Sequence, residues 1–107
     1  MVESTIVDVV RRYLAALSGF GIHAKRAVLF GSHARGDASE WSDIDLIIIA
    51  PELDGERSLE TVKQLWRATA AADDRIEPIP CGEREWDTEG RRPILDIARK
   101  EGVIIAG

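Results

Sequence analysis

Residues 31–49, GSHARGDASEWSDIDLIII, follow directly on the apolar run KRAVLF (25–30) and themselves end in a second apolar run. Gly31 closes the first run, which reads as a strand, and Pro51 stops the second, DIDLIIIA (43–50). Side chains alternate faces along a strand, so Asp43 and Asp45 share one side while Ile44, Leu46 and Ile48 take the other. Two carboxylates held that close repel, and one tends to take up a proton. A divalent cation removes the conflict. Mg²⁺ prefers oxygen ligands and is usually held by one or two carboxylates together with substrate phosphates.

Taken alone, a D-x-D at a strand start also reads as exposed surface charge. The Gly31-Ser32 turn at the end of the neighbouring strand shifts the balance. Glycine lets the backbone approach a phosphate closely, and successive N–H groups in such a turn can cradle its oxygens. Ser32 adds a hydroxyl donor. The expected platform is therefore one for a nucleoside triphosphate.

Outward from this stretch, the pattern is mixed. Ser4 is expected to cap a helix with Ile6, Val9, Val10, Tyr13, Leu14 and Leu17 on its apolar stripe, ended by Gly19 and Gly21. His33–Ser42 reads as a loop with room for one helical turn near its start. Ser58 is expected to cap a second helix that buries Leu59, Val62, Leu65 and Trp66. RIEPIP (75–80) reads as a third strand, and Pro78 and Pro80 point to an edge position. CGEREWDTEGR (81–91) reads as a loop, made basic by Arg84, Arg91 and, just beyond it, Arg92. Pro93 opens a last helix with Ile94, Leu95, Ile97 and Ala98 apolar, Gly102 ends it, and VIIAG (103–107) is a final short strand. The fold class is α/β (α+β), a small mixed sheet covered by helices.

The 107 residues suit one domain, spanning 1–107. With 45% hydrophobic and 31% charged residues, the composition is that of an ordinary globular chain and not of a disordered or membrane-inserted one. The N-terminus carries Asp8, Arg11 and Arg12 within its apolar pattern, unlike an export signal. A single cysteine, Cys81, excludes an internal disulfide and agrees with a cytoplasmic setting. Cys81 reads as a packed residue and not as a nucleophile, and His33 has no second ligand at metal-binding spacing. The net charge of −5 argues against duplex nucleic acid as a partner, but not against one nucleotide whose charge is met by metal.

Gly31-Ser32, ten intervening residues and Asp43-Ile44-Asp45 resemble the G-S-x10-D-x-D signature of the minimal nucleotidyltransferases, in the DNA polymerase beta-like superfamily. Ala34, Arg35, Gly36, Ser42 and Leu46 match the family's filling of that run. The resemblance implies a polymerase beta-like nucleotidyltransferase fold in which Gly31 and Ser32 bind the triphosphate of ATP. It implies that Asp43 and Asp45 hold two Mg²⁺ ions, and that Arg35 touches phosphates or braces its own loop. It also implies a third carboxylate on a later strand. Glu77 in RIEPIP is the candidate, although the family more often has aspartate there; Asp74 is the fallback. Trp41, beside the acidic pair, stacks on a base, meets a partner or packs on its loop.

Small proteins resembling this one are paired with a helical HEPN-domain toxin, whose tyrosine receives AMP from the nucleotidyltransferase acting as antitoxin. A chain this size is expected to hold no separate acceptor domain. The acceptor is therefore expected from an oligomeric mate, homo- or hetero-, from a separate protein, or as a small molecule. The alternatives are a small-molecule acceptor such as an aminoglycoside, and a non-catalytic antitoxin that neutralises its partner by binding.

Overall fold

Gly31 and Pro51 cut the two most apolar runs to strand length, and around them the computed structural model, which describes residues 2–88 and 92–107, builds a four-stranded sheet. In chain order the elements are helix α1 (Ser4–Ser18), strand β1 (Arg26–Phe30), a single-turn helix α2 (Ser32–Arg35), strand β2 (Ile44–Ala50), helix α3 (Leu59–Arg67), strand β3 (Ile76–Gly82), short helix α4 (Glu83–Asp87), helix α5 (Pro93–Glu101) and strand β4 (Val103–Ala106). The sheet order is β3-β2-β1-β4. β1 runs antiparallel to both β2 and β4, whereas β2 and β3 are parallel, so the sheet is mixed as its sequence implied. A parallel pair needs a crossover connection, and α3 provides it. β3, with its two prolines, lies at an edge, where a missing N–H costs no ladder bond.

Both faces of the sheet are covered, and the alternation of β2 serves both. Ile44, Leu46, Ile48 and Ala50 join the α1 stripe, Leu65 and Ala68 in the larger core. Ile47 and Ile49 point the other way and pack with Val28, Phe30, Cys81, Leu95 and Ala98 under α5. All six α1 residues of the expected stripe are buried. Tyr13 is fully enclosed, and its hydroxyl donates to the Leu65 carbonyl at 2.7 Å, tying α1 to α3. Among the described residues no helix is long and apolar enough to cross a membrane.

Three local expectations are corrected. Ser4 is the first helical residue and Glu3 occupies the cap position, with no side-chain cap bond. On α3, Ser58 does cap through Thr61 N–H at 3.1 Å, but only Leu65 is buried; Trp66 is 50% exposed and Leu59 70%. At about 100° per residue, Trp66 and Leu59 lie about 100–120° round from Leu65, on the flank of a helix that touches the core along one line. The stretch expected as a loop from Cys81 instead extends β3 to Gly82 and then forms α4. Asp54 accepts from Arg84 N–H at 3.0 Å at the start of α4, and Arg99 donates to the carbonyls of Glu85, Trp86 and Thr88 at its end. Arg91 lies outside the described residues. Arg92 is occupied structurally, donating to the Pro80 carbonyl at 2.8 Å and pairing with Glu85 at 2.8 Å.

Candidate active site

The site residues gather where β1 ends and β2 and β3 begin. Antiparallel register sets Phe30 opposite Asp45, and parallel register sets Asp45 opposite Glu77. Asp45 and Glu77 thus lie side by side on the face that carries Ile47, Ile49 and Cys81 further along, with Glu77 exposed. Asp43 sits just before β2, exposed, and Asp45 is half-buried.

Gly31 turns the chain between Phe30 and α2 with φ 77° and ψ −153°, a conformation essentially reserved for glycine. A β-carbon at this position would overlap the Asp45 carboxylate, so the turn presses its backbone against the acidic pair. Ser32 opens α2, and the first N–H groups of a helix have no intrahelical acceptor. An oxygen-rich ligand placed at this turn would meet those donors and the serine hydroxyl.

The three carboxylates feel one another. Asp45 is raised above the usual carboxylate range, first by burial and then by the charge of Asp43. Glu77 is raised as well, by desolvation and then by the charges of Asp43 and Asp45. Register places Asp45 and Glu77 side by side, so each carboxylate adds to the other's crowding. A concentration of like charge at one lip is a cost in the empty state and an asset once a cation enters.

Among the described residues, no three His, Cys, Asp or Glu side chains already stand as a complete metal-ligand set. An all-oxygen lip with two aspartates nevertheless suits Mg²⁺, which retains waters and takes substrate phosphates to fill its shell. The donor chemistry of Asp43 and Asp45 would suit a cation that arrives with its nucleotide, with Glu77 in register beside them.

The remaining candidates fall into place around this lip. Arg35 is exposed and braces its own neighbourhood, through Asp37 at 3.4 Å and Glu101 at 3.7 Å. His33 Nε2 lies 3.3 Å from the Ser42 carbonyl. Trp41 is 83% exposed, so the loop-packing expectation for it fails. Cys81 is fully buried and its thiol is pushed up to about 11 by burial, as suits a packed residue. Asp74 is exposed, while its neighbour Asp73 is engaged by Arg75. Sequence reading passed over that pair, whose only signal was a D-x-R spacing ahead of β3.

A glycine turn pressed on a D-x-D strand, beside a parallel strand bearing a third carboxylate, defines the class of a nucleotidyltransferase. The chain belongs to the nucleotidyltransferase domain family, whose model matches residues 7–96. A Methanocaldococcus jannaschii protein provisionally named as a protein adenylyltransferase is 50% identical over 38 residues. That match spans 36% of this chain and 26% of the relative, so the chain accounts for about a quarter of that protein's length. A crystal structure of a provisionally assigned nucleotidyltransferase from Sulfolobus solfataricus shares the fold, with a TM-score of 0.56 at 22% identity over 97% of this chain and 87% of that one.

Proposed function

We propose that this protein is a Mg²⁺-dependent adenylyltransferase that moves AMP from ATP to a hydroxyl acceptor, a tyrosine of a partner HEPN-domain toxin. The observation that carries the reading is the register of Asp45 against Glu77, with Asp43 two residues away and the Gly31 turn pressed on Asp45. The family membership supports transfer of a nucleotidyl group, and the name of the Methanocaldococcus relative supports adenylyl and a protein acceptor.

In this reading Gly31 and Ser32 orient the triphosphate through backbone and hydroxyl donors. Asp43 and Asp45, with Glu77, would hold two Mg²⁺ ions, which supply charge stabilisation to the attacking and leaving oxygens of an in-line displacement. The acceptor oxygen bonds to the α-phosphorus, the bond to the β-phosphate oxygen breaks, and pyrophosphate leaves. Glu77, in register beside Asp45, takes the proton lost by the acceptor hydroxyl.

The test mixes purified protein, Mg²⁺, labelled ATP and the candidate partner, and follows AMP addition by mass together with pyrophosphate release. The expected result is modification of a partner tyrosine that disappears in the Asp43→Asn, Asp45→Asn double variant. Modification that survives in that variant removes the catalytic assignment. Neutralisation of the partner without any modification replaces it with a binding role.

A further inference from the structure

The segment between α2 and β2, residues 36–43, has no regular secondary structure, yet it is pinned from both sides. Internally, Ser42 Oγ accepts from Ser39 N–H at 2.9 Å and Ser42 N–H donates to the Ser39 carbonyl at 3.1 Å. From the α2 side His33 reaches the Ser42 carbonyl. From the β3 side Arg75 Nη1 donates to the Glu40 carbonyl at 3.1 Å.

Arg75 is itself locked. Its Nε donates to Asp73 Oδ1 at 3.0 Å and its Nη2 to Asp73 Oδ2 at 2.8 Å, a two-pronged ion pair, and its backbone N–H donates to Oδ1 at 2.8 Å. The Asp73 side chain is 19% exposed and that of Arg75 31%, so the pair is partly sheltered from water. The Arg75 carbonyl in turn accepts from Ile44 N–H at 2.8 Å. One residue therefore grips the chain three positions before Asp43 with its side chain, and one position after it with its backbone. The same residue stands two positions ahead of Glu77.

We propose that Arg75, locked by Asp73, is a positioning residue that sets Asp43 against Asp45 and Glu77 for cation binding. The inference rests on the reading of these three carboxylates as the cation-holding lip. Geometry explains the residue type. Holding a carboxylate in two places while donating to a carbonyl on a third side needs the planar guanidinium fork, which lysine lacks. Charge agrees with geometry: Arg75 holds the Asp73 carboxyl below the ordinary range, and Asp73 raises Arg75.

Groups one layer behind a metal's ligands typically carry about 10–100-fold in metal affinity. The experiment measures Mn²⁺ binding by electron paramagnetic resonance on the full chain with a non-hydrolysable ATP analogue, so that no turnover is needed. Arg75→Gln and Asp73→Asn are expected to weaken Mn²⁺ about 10-fold, and Arg75→Lys is expected to recover only part of the loss. Arg67→Gln, which breaks an exposed pair with Glu60 on α3, is expected to change nothing. If Arg75→Gln fails to fold, Asp73→Asn carries the test, since it leaves the guanidinium in place and removes only its lock. Wild-type affinity in both the Arg75 and Asp73 variants overturns the inference alone, as does an equal loss in Arg67→Gln. Absence of saturable Mn²⁺ binding in the wild type overturns the cation reading and the inference with it.

Discussion

The backbone of Gly31 lies against the carboxylate of Asp45, where a β-carbon would overlap that carboxylate unless the side chain moved. Two constraints meet there, because the φ of 77° with ψ of −153° is also closed to other residues. Gly31→Ala is therefore expected to cost about 1–3 kcal/mol from backbone strain alone, and to displace the Asp45 side chain as well. Adding Asp45→Ala to Gly31→Ala frees the space but not the dihedral. Urea unfolding of the single and double variants separates the two effects. Equal stability of Gly31→Ala and wild type would show that neither constraint operates.

Crowding of Asp45, Asp43 and Glu77 predicts a definite pH dependence. Asp45 and Glu77 are raised in the folded chain, so the folded state holds their protons more tightly than the unfolded state does. The folded chain loses stability from these groups as pH rises from the ordinary carboxylate range through their raised values. Asp45→Asn removes that loss. Its Tm is expected above that of the wild type at pH 7, with the gap closing as pH falls below the ordinary aspartate range. Mg²⁺ with ATP analogue is expected to raise the wild-type Tm and leave Asp45→Asn nearly unmoved, as binding to the native state alone requires. A gap that widens on acidification would mean that these carboxylates are lowered by folding and not raised.

The apolar code of the chain was easy to read wherever an element faces one neighbour. The α1 stripe, the two central strands, the proline-marked edge and the Gly-Ser turn all follow from spacing and from residues with narrow conformational options. Hydrophobicity was a poorer guide on α3, where Leu59 and Trp66 flank the buried line without joining it. The α4 segment failed for a different reason. Beside one local cap, from Gly82 N–H to Glu85, it is held by Asp54 and Arg99, 30 residues before Arg84 and 13 after Trp86, and no local pattern records such partners. The Arg75 clamp is similar: Asp73 is a near neighbour, but the Glu40 carbonyl it braces is 35 residues away. The acidic triad was legible in part, since D-x-D is local. Glu77 joins it only through the parallel register of β2 and β3.

A core hydrogen bond far from the acidic lip offers a test of stability without chemistry. Tyr13 donates its hydroxyl to the carbonyl of Leu65, one of the last carbonyls of α3, which lack a full set of intrahelical donors. Tyr13→Phe keeps the ring and strands that buried acceptor, at an expected cost of about 1–3 kcal/mol. Nucleotide binding measured well below the melting transition is expected to match the wild type. A loss of binding without loss of stability would mean that α1 communicates with the site by a route other than packing.

Arg99 makes the strongest claim about a segment whose structure its own sequence does not announce. Its Nη2 donates to Glu85, Trp86 and Thr88 carbonyls at 3.3, 2.8 and 3.2 Å, and its guanidinium stands 4.7 Å from the centroid of the Trp86 ring. These contacts supply donors to carbonyls at the end of a five-residue helix, too short to be stable alone. Arg99→Ala is expected to cost about 1.5–3 kcal/mol, the range for hydrogen bonds involving a charged group. The loss should be local. Amide exchange in residues 83–87 is expected to accelerate strongly while β1 and β2 keep their protection, and Trp86 emission shifts to the red as its ring loses cover. Arg99→Lys retains the charge over the ring but cannot serve three carbonyls at once, and is expected to fall between the two. Unchanged exchange across residues 83–87 in Arg99→Ala would show that α4 is held by Asp54 and the Glu85–arginine pairs without it.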